Sequence, residues 1–202
     1  MRLFVALEIP ASTRDALRAL VAQLAPVCAG ARWLRPEGIH LTLKFIGEVS
    51  DEAAQNMRAA LHQICMPAAV ELEFRGWGFF PNARRPQVFW AGVHANAVLE
   101  KLADEIDGRL APRGFKREPR EFRPHLTLAR FKSGEGLHAL QSELVRLEKP
   151  SAQSGGASFG KATIEEFHLM QSTLRPTGAV HTTLETFRFV AAPTVSAAGA
   201  RT

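Results

Sequence analysis

With 202 residues, 46% apolar and 22% charged, the chain has the composition of a soluble globular domain, and its apolar runs are too short for a membrane span. Twenty-five Lys and Arg against 20 Asp and Glu leave a formal charge of +5 and a pI near 9.8, an excess that attracts polyanions without identifying one. Cys28 and Cys65 lack disulfide or zinc-ligand spacing, so no metal or other cofactor is expected, and a reducing cytoplasm is the expected compartment.

The opening MRLFVALEIP reaches Glu8 and Pro10 too soon for a signal peptide and reads as a strand over Leu3–Ile9. A helix is predicted from about Ser12, with Ser12 and Asp15 in capping-box spacing, Leu17, Leu20, Val21 and Leu24 on one face, and Gly30 closing the unit. After a turn at Pro36–Gly38 come a strand over Ile39–Gly47, a helix with Ala54, Met57, Leu61 and Ile64 in register, and an alternating strand at Val70, Leu72 and Phe74.

The same order then repeats. A strand over Val88–Val93 precedes a helix with Val98, Leu102 and Ile106, a strand over His125–Phe131, and a helix with Leu137, Leu140, Leu144 and Leu147. Strands near Ile164–Gln171 and Leu184–Val190 close the pattern, residues 149–156 read as a Ser/Gly-rich linker, and residues from 192 onward read as a disordered tail. His40 and His125 are 85 residues apart, and the same step carries Phe4 onto Phe89, Ala6 onto Ala91 and Leu17 onto Leu102. One bilobal domain over residues 1–191, with two pseudo-equivalent lobes and no sign of an assembly beyond the monomer, is the expectation.

Both repeats carry the tetrapeptide HLTL. On a strand, residues two apart share a face, so His40 and Thr42 point one way and Leu41 and Leu43 the other; His125 and Thr127 behave alike. A pseudo-twofold axis would bring two imidazoles to opposite sides of one phosphorus atom. In-line opening of a cyclic phosphate needs one group to take a proton from water and another to protonate the leaving oxygen, and imidazoles suit both roles. Thr42 and Thr127 can donate to non-bridging oxygens, and a fixed cation would offset the developing charge.

Lys44 shares parity with His40 and is expected at the cleft rim, whereas Arg130 has the opposite parity to His125 and would face the cleft only if a bulge turned it. Arg84, Arg85, Arg113, Lys116, Arg117, Arg120 and Arg123 are candidates to line a nucleic-acid path. His62, His94, His138 and His168 have no partner pattern and are read as surface or packing residues.

At RLFVALEIP, WLRPEGIHLTLKFIGEV, FRPHLTLAR and STLRPTGAV, in that order, the chain resembles the 2H phosphoesterase family, specifically the RNA 2′,3′-cyclic phosphodiesterases first described as 2′-5′ RNA ligases. The resemblance implies an α+β, bilobal pseudo-twofold fold, with antiparallel sheets around a central cleft and helices outside. It implies hydrolysis of RNA 2′,3′-cyclic phosphate ends to 2′-phosphomonoesters, with ligation as the reverse on 2′-5′ linkages. It makes His40 the proton donor to O3′, His125 the acceptor that activates water, Thr42 and Thr127 phosphate ligands, and Arg130 a phosphate contact. The family commonly has a tyrosine shortly after the late Gly-Ala pair; here His181 stands there, and the chain contains no tyrosine. Two other readings remain open: a phosphodiesterase acting on a small cyclic nucleotide or 2′-5′ oligonucleotide, and a non-catalytic module that binds RNA ends.

Overall fold

The computed structural model describes residues 1–66, 68–151, 157–176 and 178–189. The sequence alternates short apolar strands with amphipathic helices: β1 (Arg2–Leu7), α1 (Ala11–Leu24), β2 (Ala31–Trp33), β3 (Leu41–Glu48), α2 (Asp51–Leu61), β4 (Val70–Phe80), β5 (Val88–Ala95), α3 (Ala97–Leu110), β6 (His125–Phe131), α4 (Leu137–Ser151), β7 (Ser158–Ile164), β8 (Glu166–Arg175) and β9 (Gly178–Arg188). The predicted tail and most of the predicted linker lie outside the described residues. Among the described residues no helix is long and apolar enough to cross a membrane.

Local chemistry sets the helix starts. Ser50 caps α2 by accepting from the Ala53 N–H at 3.2 Å, and Asp51 and Glu52 follow where the helix dipole favours negative charge. The capping box expected at Ser12 is not formed: α1 begins one residue earlier, behind Pro10, without a side-chain cap. Pro10 fixes the entry angle instead, its φ of -57° being close to helical.

Two antiparallel sheets result, one in the order β3-β1-β8-β9 and the other β2-β6-β5-β4-β7. Each HLTL strand therefore pairs with the first strand of its own repeat. The repeats exchange their remaining strands, because β4, which ends the first repeat, joins the second sheet, while β8 and β9 complete the first. Period-two patterning marks a strand as half-buried but does not say against which sheet. Side chains from both sheets and all four helices, among them Leu3, Leu17, Met57, Phe74, Phe89, Leu102 and Leu140, belong to one continuous apolar cluster. The glycine at position 30 serves close approach here, since a Cβ there would lie 2.6 Å from the Glu135 carbonyl oxygen.

The 85-residue step holds at the two motifs and fails beside them. Ala6 pairs with Thr42, but the residue that pairs with Thr127 is Trp90, one short of Ala91. A one-residue slip reverses every side chain on a strand. Accordingly Phe4 faces the His40 side of its sheet, while Phe89, its sequence match, is fully buried in the main core.

Candidate functional site

His40 lies one residue before β3 and His125 opens β6, and these two strands approach each other although they belong to different sheets. Each imidazole is held the same way. His40 Nδ1 is 2.8 Å from the Gly38 carbonyl oxygen and His125 Nδ1 is 2.7 Å from that of Arg123, in both cases two residues upstream. A carbonyl can only accept, so each Nδ1 carries the hydrogen and, in the neutral ring, each Nε2 carries the lone pair. Aromatic rings fix the planes: Phe4 stacks on His40 at 4.6 Å, and Phe80 meets His125 edge-on at 4.9 Å.

Burial lowers the proton affinity of both rings. It holds His40 at about 4, helped by the nearby His181 and opposed by the Gly38 carbonyl. Burial also pushes His125 below its ordinary value, with the Arg123 carbonyl opposing and the positive charge of Arg130 assisting. A histidine depressed on folding stabilises the fold fully above its unfolded value of about 6.5, and this stability is lost as pH falls from there towards the folded value. The His40 ring therefore costs about 3 kcal/mol of stability between pH 6.5 and 4. Urea denaturation across that range measures it: the slope with pH is shallower in His40→Asn than in the native protein, and equal slopes would refute the assignment.

The two motifs carry matching bulges, which settle where the nearby cations point. In the β5–β6 ladder Trp90 faces Thr127 and Phe89 faces Ala129, leaving Leu128 as the extra residue. The parity of β6 changes there, so Arg130, opposite Val88, shares the face of Thr127 and His125. In the β1–β3 ladder Ala6 faces Thr42 and Val5 faces Lys44, with Leu43 extra. Parity changes in the same way and carries Lys44 off the His40 face. Lys44 is 6% exposed, and its Nζ forms an ion pair with Asp107 of α3 and donates to the Lys116 carbonyl oxygen at 2.8 Å. The expectation of a rim lysine is thus corrected.

Breaking that pair takes the nearest cation from the half-buried Asp107 carboxylate, so Lys44→Met lowers unfolding free energy by about 1–3 kcal/mol. Any catalytic turnover per folded molecule is unchanged. A turnover loss larger than the loss of folded protein would return Lys44 to the site.

The bulge that removes Lys44 turns Phe45 towards the His40 face, in the position equivalent to Arg130. Phe45 is 56% exposed, and the Arg2 guanidinium lies over its ring at 5.0 Å. Sequence parity missed it; aligning HLTLKF with HLTLAR sets Phe45 beside Arg130 and was the available signal. His181 is also brought to the site, its ring 4.8 Å from that of His40.

The other basic candidates fall in two loops. Arg120 pairs with Glu118, Arg123 with Glu121, Arg117 lies 3.9 Å from Asp107 and Arg113 donates to the Arg109 carbonyl oxygen, so part of the charge of the second loop is engaged within the fold while a positive excess remains. His62 pairs with Glu185, and buried His168 bonds Thr186 at 3.0 Å, both in keeping with structural roles. A cavity of about 490 Å³ beside Glu8, Glu166, His168 and Arg188 contains neither motif histidine, and its carboxylates disfavour an anion.

Two antiparallel sheets that approach each other at β3 and β6, each carrying one HxT motif there, are the arrangement of the phosphoesterase class with twin histidine motifs. The sequence profile of the LigT-like phosphoesterases matches residues 7–90 and 93–181, and the chain belongs to that family. An RNA 2′,3′-cyclic phosphodiesterase of Archaeoglobus fulgidus is 34% identical over 187 residues, 93% of this chain and 99% of the relative. A solved structure from Thermus thermophilus is similar with a TM-score of 0.74 and 30% identity, covering 94% of this chain and 98% of that one. E. coli LigT, solved in complex with 3′-AMP, is 25% identical with a TM-score of 0.73 over 93% of this chain and 97% of its own.

Proposed function

We propose that this chain opens 2′,3′-cyclic phosphate ends of RNA to 2′-phosphomonoesters by two-histidine acid–base catalysis without a metal. One observation carries this reading: two imidazoles on equivalent strands are locked in the same tautomer by upstream carbonyls, leaving both Nε2 atoms for a ligand. Relatives named RNA 2′,3′-cyclic phosphodiesterase supply the substrate class.

The reaction follows from proton bookkeeping. His125 Nε2 takes a proton from water as its oxygen attacks phosphorus; the P–O3′ bond breaks in line, and His40 Nε2–H protonates O3′. A 2′-phosphate and a free 3′-hydroxyl result, and the two rings exchange protonation states. Thr42, Thr127 and Arg130 donate to the non-bridging oxygens, whose charge grows in the transition state.

Both rings are mainly neutral when the cleft holds no anion. A cyclic phosphate between them favours the imidazolium, and in the acid role this pull offsets the burial and the neighbouring His181 that hold His40 low. The ribose is bonded to the leaving oxygen and so lies on the His40 side, where exposed Phe45 offers its base a stacking surface. A 5′-hydroxyl replacing the water would produce a 2′-5′ linkage, the ligation expected from the same geometry.

Turnover of an RNA bearing a 2′,3′-cyclic phosphate is expected to be equal in EDTA and in buffer, with a bell-shaped pH dependence because acid and base must be in opposite states. Activity abolished by EDTA and restored by a divalent cation would rule this mechanism out.

A further inference from the structure

Among groups outside the proposed proton path, His181 of β9 has surroundings that ask for a role. Its ring meets His40 at 4.8 Å and 80°, and Phe4 at 5.1 Å and 73°. Phe4 also stacks on His40, at 4.6 Å, so the three rings form a closed triangle in which His181 holds the edge of His40 and Phe4 its face. His181 Nδ1 is buried and, among the described residues, makes no hydrogen bond of ordinary geometry, although the Gly38 backbone lies near enough to raise its proton affinity. It lies next to Gly38, where an added Cβ would be 3.9 Å away, and the Gly38 carbonyl is already the acceptor for His40. Two imidazoles thus converge on one backbone unit.

We propose that His181 is a positioning residue for His40: it sets the tilt of the His40 ring, and the two rings do not carry a proton at the same time. The inference deepens the two-histidine reading and rests on it. Two cations this close disfavour each other, and their neighbours do not dilute the effect. From β1 the neighbour is Phe4, from the turn before β3 the Gly38 backbone, and across the β8–β9 ladder Ser172, none of them charged. His40 is therefore the titrating group in contact with His181. Both rings sit below the ordinary histidine value, His181 through burial and His40 through burial together with His181.

This arrangement adds a third ionisation to the cleft. When His181 takes the proton, His40 cannot hold the one it must deliver to O3′, and turnover stops while both rings stay in place. A tyrosine at this position would pack in the same triangle without that coupling.

The test is an NMR titration of the substrate-free protein, following the imidazole resonances of His40 and His125 in the native chain, His181→Phe and His181→Gln. Phenylalanine keeps the packing and removes the charge; glutamine keeps polarity if the apolar ring perturbs folding. The His40 midpoint, about 4 in the native protein, is expected to rise in both variants while that of His125 stays in place. The limb of the kcat/KM profile that reports His40, the group that must be protonated to act, moves to higher pH with it. A His40 midpoint unmoved in both, or an equal shift of His125, would overturn the proposal by showing no specific coupling. The titration needs no substrate, so it is independent of turnover: failure of the two-histidine reading would appear instead as an active His40 variant.

Discussion

Alanine at His40 or at His125 reduces kcat for cyclic phosphate hydrolysis by about 10²–10⁴-fold, the range expected for loss of one positioned acid or base. The double variant is expected to fall well short of the product of the two losses, because in-line displacement needs both transfers in one transition state and either deletion alone disables the pair. Neither variant should unfold near neutral pH. His40 is held neutral and below its ordinary value, so its replacement removes a group that destabilises the fold in acid. Circular dichroism and urea midpoints run beside single-turnover kinetics separate the two effects. Near-native turnover in either folded variant would contradict the account.

Arg130→Ala lowers kcat by about 10²–10³-fold, the cost of removing one preorganised donor to developing charge. Arg130→Lys recovers part of this, since an ammonium keeps the charge but not the planar fork. The bulge at Leu128 brings Arg130 onto the His125 face, and its charge also disfavours protonation of that ring. Removing the guanidinium therefore moves the His125 pKa upward and shifts the acid limb of the rate profile to higher pH. A variant that lost activity with no such shift would place Arg130 away from His125. Phe45→Ala provides the contrast: it raises KM by about tenfold, for a stacking loss of roughly 1–3 kcal/mol, with kcat little changed.

The fold was legible wherever the apolar pattern decides it alone. The four α-helices of the described residues show in the apolar period, and the twin motifs mark the strands that carry the histidines. Partner choice was not legible: nothing in Val70, Leu72 and Phe74 states that β4 pairs with β5 and β7 rather than with its own repeat. The short β2 beside β6 went unseen for a similar reason, three residues being too few to show a period.

At the site, a single local feature separates the geometry that ideal alternation predicts from the geometry found. Ideal alternation places Lys44 inward and Arg130 outward, and one extra residue in each strand, Leu43 and Leu128, reverses both. A bulge leaves no composition signal in either apolar position. Side-chain identity hints at it, because after reversal the lysine meets Asp107 and the exposed aromatic ring meets Arg2. His181 drew attention by standing where tyrosine is usual, but its contact with His40 depends on β9 and the turn at Gly38 coming together, which only the tertiary fold provides.

The central claim is that a water on the His125 side attacks phosphorus opposite O3′, with the nucleoside held on the His40 side. Incubating the protein in EDTA with a short RNA ending in a 2′,3′-cyclic phosphate, and resolving the 2′- and 3′-phosphate products, tests it directly. The account predicts the 2′-phosphate alone; a 3′-phosphate product, or an intact cyclic end after incubation with folded protein, would contradict it.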